Sequence, residues 1–220
     1  MMFNYFRFGG VRYDLPDGWV EKCRDFLARL PKMIKEYESL VETNAIFLSR
    51  CVGKGQITQR DVADYAITGP NARASGVKHD LRRTRPYSVY PELDFELPLG
   101  QHGDVFDRYK VRIEEMRESA KIISQCLDML PRGPVQAGSL RAPYVITPPP
   151  GSAYTAQENP RGEYGTYIVS DGSRYPYRLK FRDPCFCNLQ LFPKLLSGNK
   201  IADAVAISGS IDLVLGGIDR

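Results

Sequence analysis

The chain has 220 residues, of which 43% are apolar and 25% are charged, and its formal net charge is +4. Lysines and arginines alternate with acidic residues along most of the chain, which argues against a nucleic-acid-binding surface. The chain contains no run of 18 apolar residues, so the sequence predicts no membrane-spanning helix. Its five cysteines are irregularly spaced, which favours free thiols in a reducing compartment over a disulfide framework.

The first third of the chain predicts helices. Residues 14–30 and 32–43 are amphipathic segments that Pro31 is expected to break or kink. Thr58 and Asp61 begin a shorter segment, 58–68, with the spacing of a capping box. In the first two segments the side chains expected to face the core are Trp19, Cys23, Phe26, Leu30, Met33, Tyr37, Leu40 and Val41.

The longest predicted helix covers residues 104–130, with Asp104 as its N-cap. Its apolar residues recur every three or four positions, which predicts one buried stripe within a helical bundle and a partly solvated opposite face. The stripe consists of Phe106, Tyr109, Ile113, Met116, Ala120, Ile123, Leu127 and Leu130.

The pattern changes after a proline-rich connector at residues 142–151. Residues 164–182 alternate with a period of two around Asp171-Gly172, which predicts a β-hairpin. Short helices are expected at 188–198 and 200–208. We therefore predict a mainly helical α+β fold: a helical part at 1–135, then the connector, hairpin and C-terminal loop at 136–220, within one structural domain.

Common cofactor motifs are absent from the sequence. It contains neither a phosphate-binding P-loop nor a dinucleotide-binding glycine motif. His79 and His102 are far apart in polar segments, which favours exposed loop positions. Cys185 and Cys187, in "RDPCFCNLQ", could be half of a metal site, but zinc and iron–sulfur sites need more ligands than this pair supplies. We expect no metal or cofactor to be held by this chain.

Four arginines are concentrated in "GPNARASGVKHDLRRTRPYSVY", residues 69–90. Arginines at this density need carboxylates or an anionic surface. The sequence leaves two interpretations open, a structural ion-pair network and contact with a partner subunit or an anionic group. The residues assigned to this role are Arg73, Asp80, Arg82 and Arg83, with Arg85 beside them and Asp94, Asp104 and Asp107 as further possible carboxylate partners.

Five segments together resemble the D subunit of bacterial NADH-quinone oxidoreductase (respiratory complex I), the counterpart of the mitochondrial 49-kDa subunit. The resemblance runs through the whole chain and corresponds to the C-terminal half of that family. The segments are "FNYFRFGGVRYDLP", "GPNARASGVKHDLRRTRPYSVY", "GDVFDRYKVRIEEMRESAKIISQCLDMLP", "PRGEYGTYIVSDGSRYPYRLKFR" and "ADAVAISGSIDLVLGGIDR".

This resemblance implies a role in a quinone cavity beside the terminal [4Fe-4S] cluster, which the B subunit holds in that family. Asp212 and Val214 are the implied quinone-pocket residues, and Met2 lies where some relatives carry a histidine near that cluster. The family is also distantly similar to the large subunit of [NiFe] hydrogenases. There the nickel ligands would correspond to Val214 and Gly217, neither of which can bind nickel.

The resemblance further implies a proton-translocating NADH:quinone oxidoreductase that is peripheral to the cell membrane on its cytoplasmic side. Its implied partners are quinone and the remaining polypeptides of the complex, especially its B, C and H subunits. The family's quinone-binding histidine and tyrosine belong to an N-terminal half that this sequence lacks, so we expect no activity from the chain alone. Two alternatives stay open: a related complex that uses ferredoxin or reduced F420, and an inactive truncated fragment.

Overall fold

The structure is a computed structural model that describes residues 5–7, 9–137 and 147–219. Most of its regular elements are helices, which confirms the predicted mainly helical α+β class. The α-helices are α1 Trp19–Val41, α2 Ala45–Cys51, α3 Gln59–Asp64, α4 Pro70–Ala74, α5 Leu81–Thr84, α6 Val105–Asp128, α7 Pro184–Gln190, α8 Phe192–Leu196, α9 Ala204–Ile211 and α10 Leu215–Ile218. Short 3₁₀ helices lie at Tyr90–Glu92 and Ile201–Asp203.

The strands form two antiparallel sheets. Strands β1 Phe6–Arg7 and β2 Gly10–Val11 make a small ribbon near the start of the described chain. Strands β3 Gly151–Asn159, β4 Gly162–Ser170 and β5 Arg178–Arg182 make a three-stranded sheet in the order β3-β4-β5. The predicted β4–β5 hairpin is confirmed, whereas β3 was not predicted and begins where the proline-rich connector was expected to end.

Helices α1 and α6 pack against each other in antiparallel orientation. Arg24 of α1 forms an ion pair with Asp128 at the end of α6, while Glu38 contacts Lys110 and Arg117 farther back along α6. Helix α6 starts after Asp104, whose carboxylate accepts a hydrogen bond from the Asp107 backbone N–H, so its predicted N-cap is confirmed. The predicted capping box of Thr58 and Asp61 is confirmed as well.

Helix α1 runs through Pro31, so the predicted break is absent, while a kink, the other predicted outcome, stays a prediction. The predicted inward face was wrong in part, since Cys23, Leu30 and Val41 are half-buried but its other members are exposed. Ile34 is the buried side chain of this helix, while Met33, Tyr37 and Leu40 are exposed. Contacts with α6 on both sides of the proline hold α1 together and select the face that is buried.

The apolar stripe of α6 is only partly buried. Ile113 and Leu127 belong to the interior, whereas Met116, Ile123 and Leu130 are exposed. The main core instead lies where α2, α3, α8 and α9 meet the start of α6. Its buried members are Cys51, Ile57, Val62, Ile67, Ala72, Val105, Leu191, Leu195, Ile207 and Ile211.

Within the described residues, no helix combines the length and the apolar character needed to cross a bilayer. The predicted division of the chain at 135/136 stays a prediction, and its boundary adjoins residues that the structure does not describe.

Candidate functional site

A cavity of about 720 Å³ lies between α2, α6 and the 3₁₀–α9 segment. Most of its lining is apolar, with polar groups contributed chiefly by Arg50, Arg112, Ser210 and Asp212. This size, and an apolar wall with a few polar groups, are typical of a small-molecule site. The apolar lining residues are Ile46, Phe47, Val105, Tyr109, Ile113, Ala202, Val205 and Ala206.

Asp212, the C-cap residue of α9, lines this cavity. Its backbone has φ of 57°, in the left-handed region, which closes the helix and turns the chain toward Val214. Arg161 fixes this turn, because its guanidinium donates to the Asp212 carbonyl oxygen at 2.9 Å and to the carboxylate Oδ1 at 3.2 Å. The cavity therefore receives a carboxylate whose position is set by an ion pair.

Arg112 and Asp212 also line a second cavity, of about 460 Å³, which lies along a later part of α6. Burial lowers the pKa of Arg112, and the negative charge of Asp212 acts in the opposite direction. Asn71 connects the two segments, since it accepts a hydrogen bond from Arg112 at 3.2 Å and donates to the Ile211 carbonyl at 3.3 Å. The pair Arg112 and Asp212 is thus a polar boundary between two cavities.

Val214 is half-exposed in this chain and does not belong to the lining of the larger cavity. The structure thus brings only one of the two predicted quinone-pocket residues, Asp212, to that cavity. Met2, the residue predicted near the terminal cluster, lies outside the described residues.

Cys185 and Asp183 support the segment that contains Asp212 and Val214. The buried Cys185 Sγ lies 4.0 Å from the Asp212 carbonyl oxygen, and burial raises the pKa of its thiol, although a backbone hydrogen bond from Val214 acts in the opposite direction. A Cβ at Gly217 would lie 2.6 Å from the Asp183 carboxylate. The "DPC" stretch therefore packs beneath the C-terminal segment, 27 residues away in sequence.

All five cysteines are free thiols. In the part of the chain that the structure describes, no three His, Cys, Asp or Glu side chains converge as metal ligands would. Cys185 is fixed by packing and by its contact with the Asp212–Val214 segment. This environment is typical of a thiol with a structural role.

A second arginine, Arg108, is fully buried beside the larger cavity. Its guanidinium donates to the carbonyl oxygens of Gly55 and Gly103, at 2.9 and 2.7 Å, and to Ser210 Oγ at 3.0 Å. Burial, with a smaller contribution from the charge of Arg112, lowers the pKa of Arg108 to about 10. Arg108 thereby fixes the last turn of α9 against α6.

The predicted arginine cluster is built around Arg73, which is buried. Its guanidinium contacts Glu115 at 2.6 Å, Glu158 at 2.9 Å and Asp80 at 3.2 Å. Arg82 contacts the same Asp80 at 2.6 Å. Of the carboxylate partners suggested by the sequence, only Asp80 contacts these arginines, and Glu115 and Glu158 come from distant elements.

Arg83 has a different partner, since its guanidinium donates to the Phe95 carbonyl oxygen and stacks over the Phe95 ring.

The sequence did not single out Arg108, Arg112 or Arg161, because an isolated arginine on a helix or loop is normally solvated. The clearest available signal was the helical spacing of Arg108 and Arg112, four residues apart on α6.

The family model described as "Respiratory-chain NADH dehydrogenase, 49 Kd subunit" matches residues 1–220. A protein of Desulforamulus reducens named as the D subunit of NADH-quinone oxidoreductase is 49% identical over 216 residues, which are 98% of this chain and 58% of that protein. Proteins of the same name from Bacillus cytotoxicus and Bacillus anthracis are each 46% identical over 220 residues, which are 100% of this chain and 59% of theirs. The chain thus spans less than two thirds of the length of these curated relatives.

Proposed function

Since the chain belongs to the family of the 49-kDa subunit of respiratory-chain NADH dehydrogenases, we propose that it is a subunit of a proton-translocating NADH:quinone oxidoreductase. In this role it helps to form the quinone cavity beside the terminal [4Fe-4S] cluster, which a partner subunit holds. The chain itself binds no cofactor, and quinone is the substrate. The match of the family model to residues 1–220 of this chain is the observation that carries the proposal.

The geometry around Asp212 supports the quinone part of this proposal. A quinone has a flat apolar ring and two carbonyl oxygens, and its reduction to the quinol consumes two electrons and two protons. The larger cavity offers apolar walls together with the guanidinium of Arg112 and the carboxylate of Asp212. A hydrogen-bond donor and a carboxylate in an apolar cavity suit a headgroup that must be oriented and protonated.

Val214 has a separate part in the proposal. It lies two residues after Asp212 and is half-exposed, so it can add an apolar wall where a partner subunit closes the site. Arg73, Asp80, Arg82 and Arg83 are proposed as structural residues that support this region and the subunit interface. Met2 stays a proposed neighbour of the terminal cluster.

The assembly and its location are also part of the proposal. The partners are the other polypeptides of the oxidoreductase, in particular its B, C and H subunits, and electrons from NADH reach the site through clusters that the partners hold. The complex sits on the cytoplasmic side of the cell membrane with this chain at its periphery. Parts of the relatives' length that this chain does not span contribute to the same activity.

The proposal is tested by Asp212→Asn in the assembled complex in native membranes, with Asp219→Asn as the matched control. Asp219 is an exposed carboxylate seven residues farther along the same segment. We expect the rate of NADH:quinone reduction to fall roughly a hundredfold with Asp212→Asn, as for loss of a proton-transfer group. NADH:ferricyanide reduction, which bypasses the quinone site, stays unchanged.

If the Asp212→Asn complex reduces quinone as fast as the Asp219→Asn complex, Asp212 does not belong to the quinone site. A complex that assembles without this chain and still reduces quinone would overturn the proposed function itself.

A further inference from the structure

The outer part of the β3-β4-β5 sheet extends away from the rest of the described chain. All of residues 171–180, which form the turn and most of β5, are exposed. Tyr175 and Tyr177 are 72% and 77% exposed, values that are high for aromatic side chains. The opposite end of the sheet is anchored, because Glu158 of β3 contacts Arg73 and Arg182 of β5 donates to the Glu163 and Ala66 carbonyl oxygens.

The strand register divides this outer part into two faces. Side chains directly opposite each other on neighbouring strands lie on the same face of a sheet. One face, here called the cationic face, consists of Tyr154, Tyr167, Val169, Arg178 and Lys180. The other, here called the aliphatic face, consists of Ala153, Ile168 and Leu179.

Neither face of this region is buried by the described residues. Tyr154 is 50% exposed on the cationic face, and Leu179 is 46% exposed on the aliphatic face. Three-stranded sheets gain stability by packing an apolar face against another layer. The exposed apolar side chains on both faces therefore point to a further layer supplied from outside the described chain.

The exposed stretch 171–180 carries more positive than negative charge, while nearer the anchored end of the cationic face Glu163 accepts a hydrogen bond from the Tyr154 hydroxyl at 3.1 Å. Arg178 and Lys180 are exposed on the cationic face, and within the described residues no carboxylate lies within ion-pair distance of either. The one acidic residue of the exposed stretch, Asp171, accepts a hydrogen bond from the Ser173 backbone in the turn. A surface that complements this face must carry acidic side chains.

We propose that the outer β3-β4-β5 sheet docks into a cleft of a partner protein whose walls are apolar and whose rim carries acidic side chains. The acidic rim contacts Arg178 and Lys180, while the walls cover Tyr154 on one face and Leu179 on the other. This inference rests on the sheet alone and is independent of the proposed quinone site.

A protein cleft fits better than an anionic membrane surface or a second copy of the chain. A membrane can bury both faces only if the sheet inserts tip first, and insertion would carry the exposed cations Arg178 and Lys180 into the bilayer at a high cost. A second copy of the chain would bring the same cations, and like charges placed opposite each other oppose association.

The test uses the assembled complex in native membranes, with a photo-crosslinking amino acid in the exposed turn, Tyr177→p-benzoylphenylalanine. We expect irradiation to join residue 177 to one partner protein, at a peptide rich in Asp and Glu. The double charge reversal Arg178→Glu with Lys180→Glu should lower the crosslink yield, and the apparent affinity for that partner, by roughly tenfold or more.

The matched control reverses two other exposed cations, Arg60→Glu with Lys78→Glu, and should leave the crosslink yield unchanged. Replacing acidic residues of the crosslinked peptide by lysine should restore the crosslink to the Arg178→Glu, Lys180→Glu chain. This reciprocal rescue separates a specific contact from a general loss of folding.

Three results would overturn the proposal. Crosslinks to lipid, together with binding of the chain to vesicles of equal phosphatidylcholine and phosphatidylglycerol that the double reversal abolishes, would indicate a membrane surface. Crosslinks to the same chain would indicate a second copy. No crosslink at all in an assembled complex would show that the sheet tip stays solvated.

Discussion

At the scale of single residues, Asp107 connects the start of α6 to the loop before it. Its carboxylate Oδ2 accepts backbone hydrogen bonds from Gln101, His102 and Gly103, at 2.8, 2.5 and 3.3 Å. Burial raises the pKa of Asp107, but these hydrogen bonds outweigh burial and hold the pKa below its ordinary value of 3.8. The ionised carboxylate therefore stabilises the folded chain.

The sign of this pKa shift gives a pH prediction. A carboxyl group whose pKa is lower in the folded state contributes stability above its unfolded pKa, and this contribution disappears as the pH falls through the folded value. Asp107→Asn should thus lower the free energy of unfolding by about 1–2 kcal/mol at pH 7, and by progressively less as the pH falls from 3.8 through the lower folded pKa. Thermal melting of both chains from pH 7 to pH 3 measures this.

The exposed carboxylate Asp64 provides the control, since Asp64→Asn should melt like the unaltered chain at pH 7. A gap between the Asp107→Asn and unaltered chains that stays constant over the whole pH range would contradict a role for the ionised carboxylate.

Residues around Asp212 show what local sequence patterns can and cannot predict. Asp212 itself was found through a family resemblance of the C-terminal segment, and it does line the larger cavity. Its partners Arg161 and Cys185 are 51 and 27 residues away in sequence, so no spacing rule joins them to it. Only the folded chain brings these groups together.

At the scale of helices and strands, α6 was predictable because its N-cap and its apolar period agree. Strand β3 was not predicted, since "GSAYTAQEN" contains small and polar residues without an apolar alternation and follows three prolines. Pairing of all nine residues with β4 overrides that weak local preference. The burial of α1 was partly mispredicted for a similar reason, because α6 selects the face that contains Ile34.

Pro31 gives a prediction at this scale. Within α1 it cannot donate a hydrogen bond to the Leu27 carbonyl, and a proline in a helix interior costs about 3 kcal/mol relative to alanine. Pro31→Ala should therefore raise the free energy of unfolding by about 1–3 kcal/mol, as measured by urea denaturation. Pro91→Ala is the control, because Pro91 stands in the first turn of a 3₁₀ helix, where proline is well tolerated. A stability gain of equal size at both positions would contradict this explanation.

At the scale of the whole molecule, Arg73 joins elements that are far apart in the chain. From α4 its guanidinium contacts Glu115 on α6, Glu158 on β3 and Asp80 before α5. Burial lowers the pKa of Arg73, but Glu115 and Glu158 outweigh burial and raise it, so the residue stays charged. The three-stranded sheet is thus tied to the helices through one buried cation.

Arg73→Met should lower the free energy of unfolding by about 3–5 kcal/mol, because it leaves buried carboxylates without their shared partner. Arg73→Lys should recover only part of this loss, since one ammonium group cannot reproduce the planar, multiply donating guanidinium. Urea denaturation measures both, with Arg29→Met on the exposed side of α1 as the control. A loss below about 1 kcal/mol for Arg73→Met would show that water replaces the missing guanidinium.

Strand β3 has a consequence for how the chain can be produced and stored. It is an edge strand of nine residues, and from 151 to 157 it carries neither the lysine nor the proline that commonly protects such an edge. Over that stretch its outer backbone groups have no hydrogen-bond partner within the described chain. Separated from a protein that covers the sheet, concentrated chains can pair edge to edge and precipitate. Production together with the partner proposed above to cover the sheet should therefore yield more usable material than purification of the chain by itself.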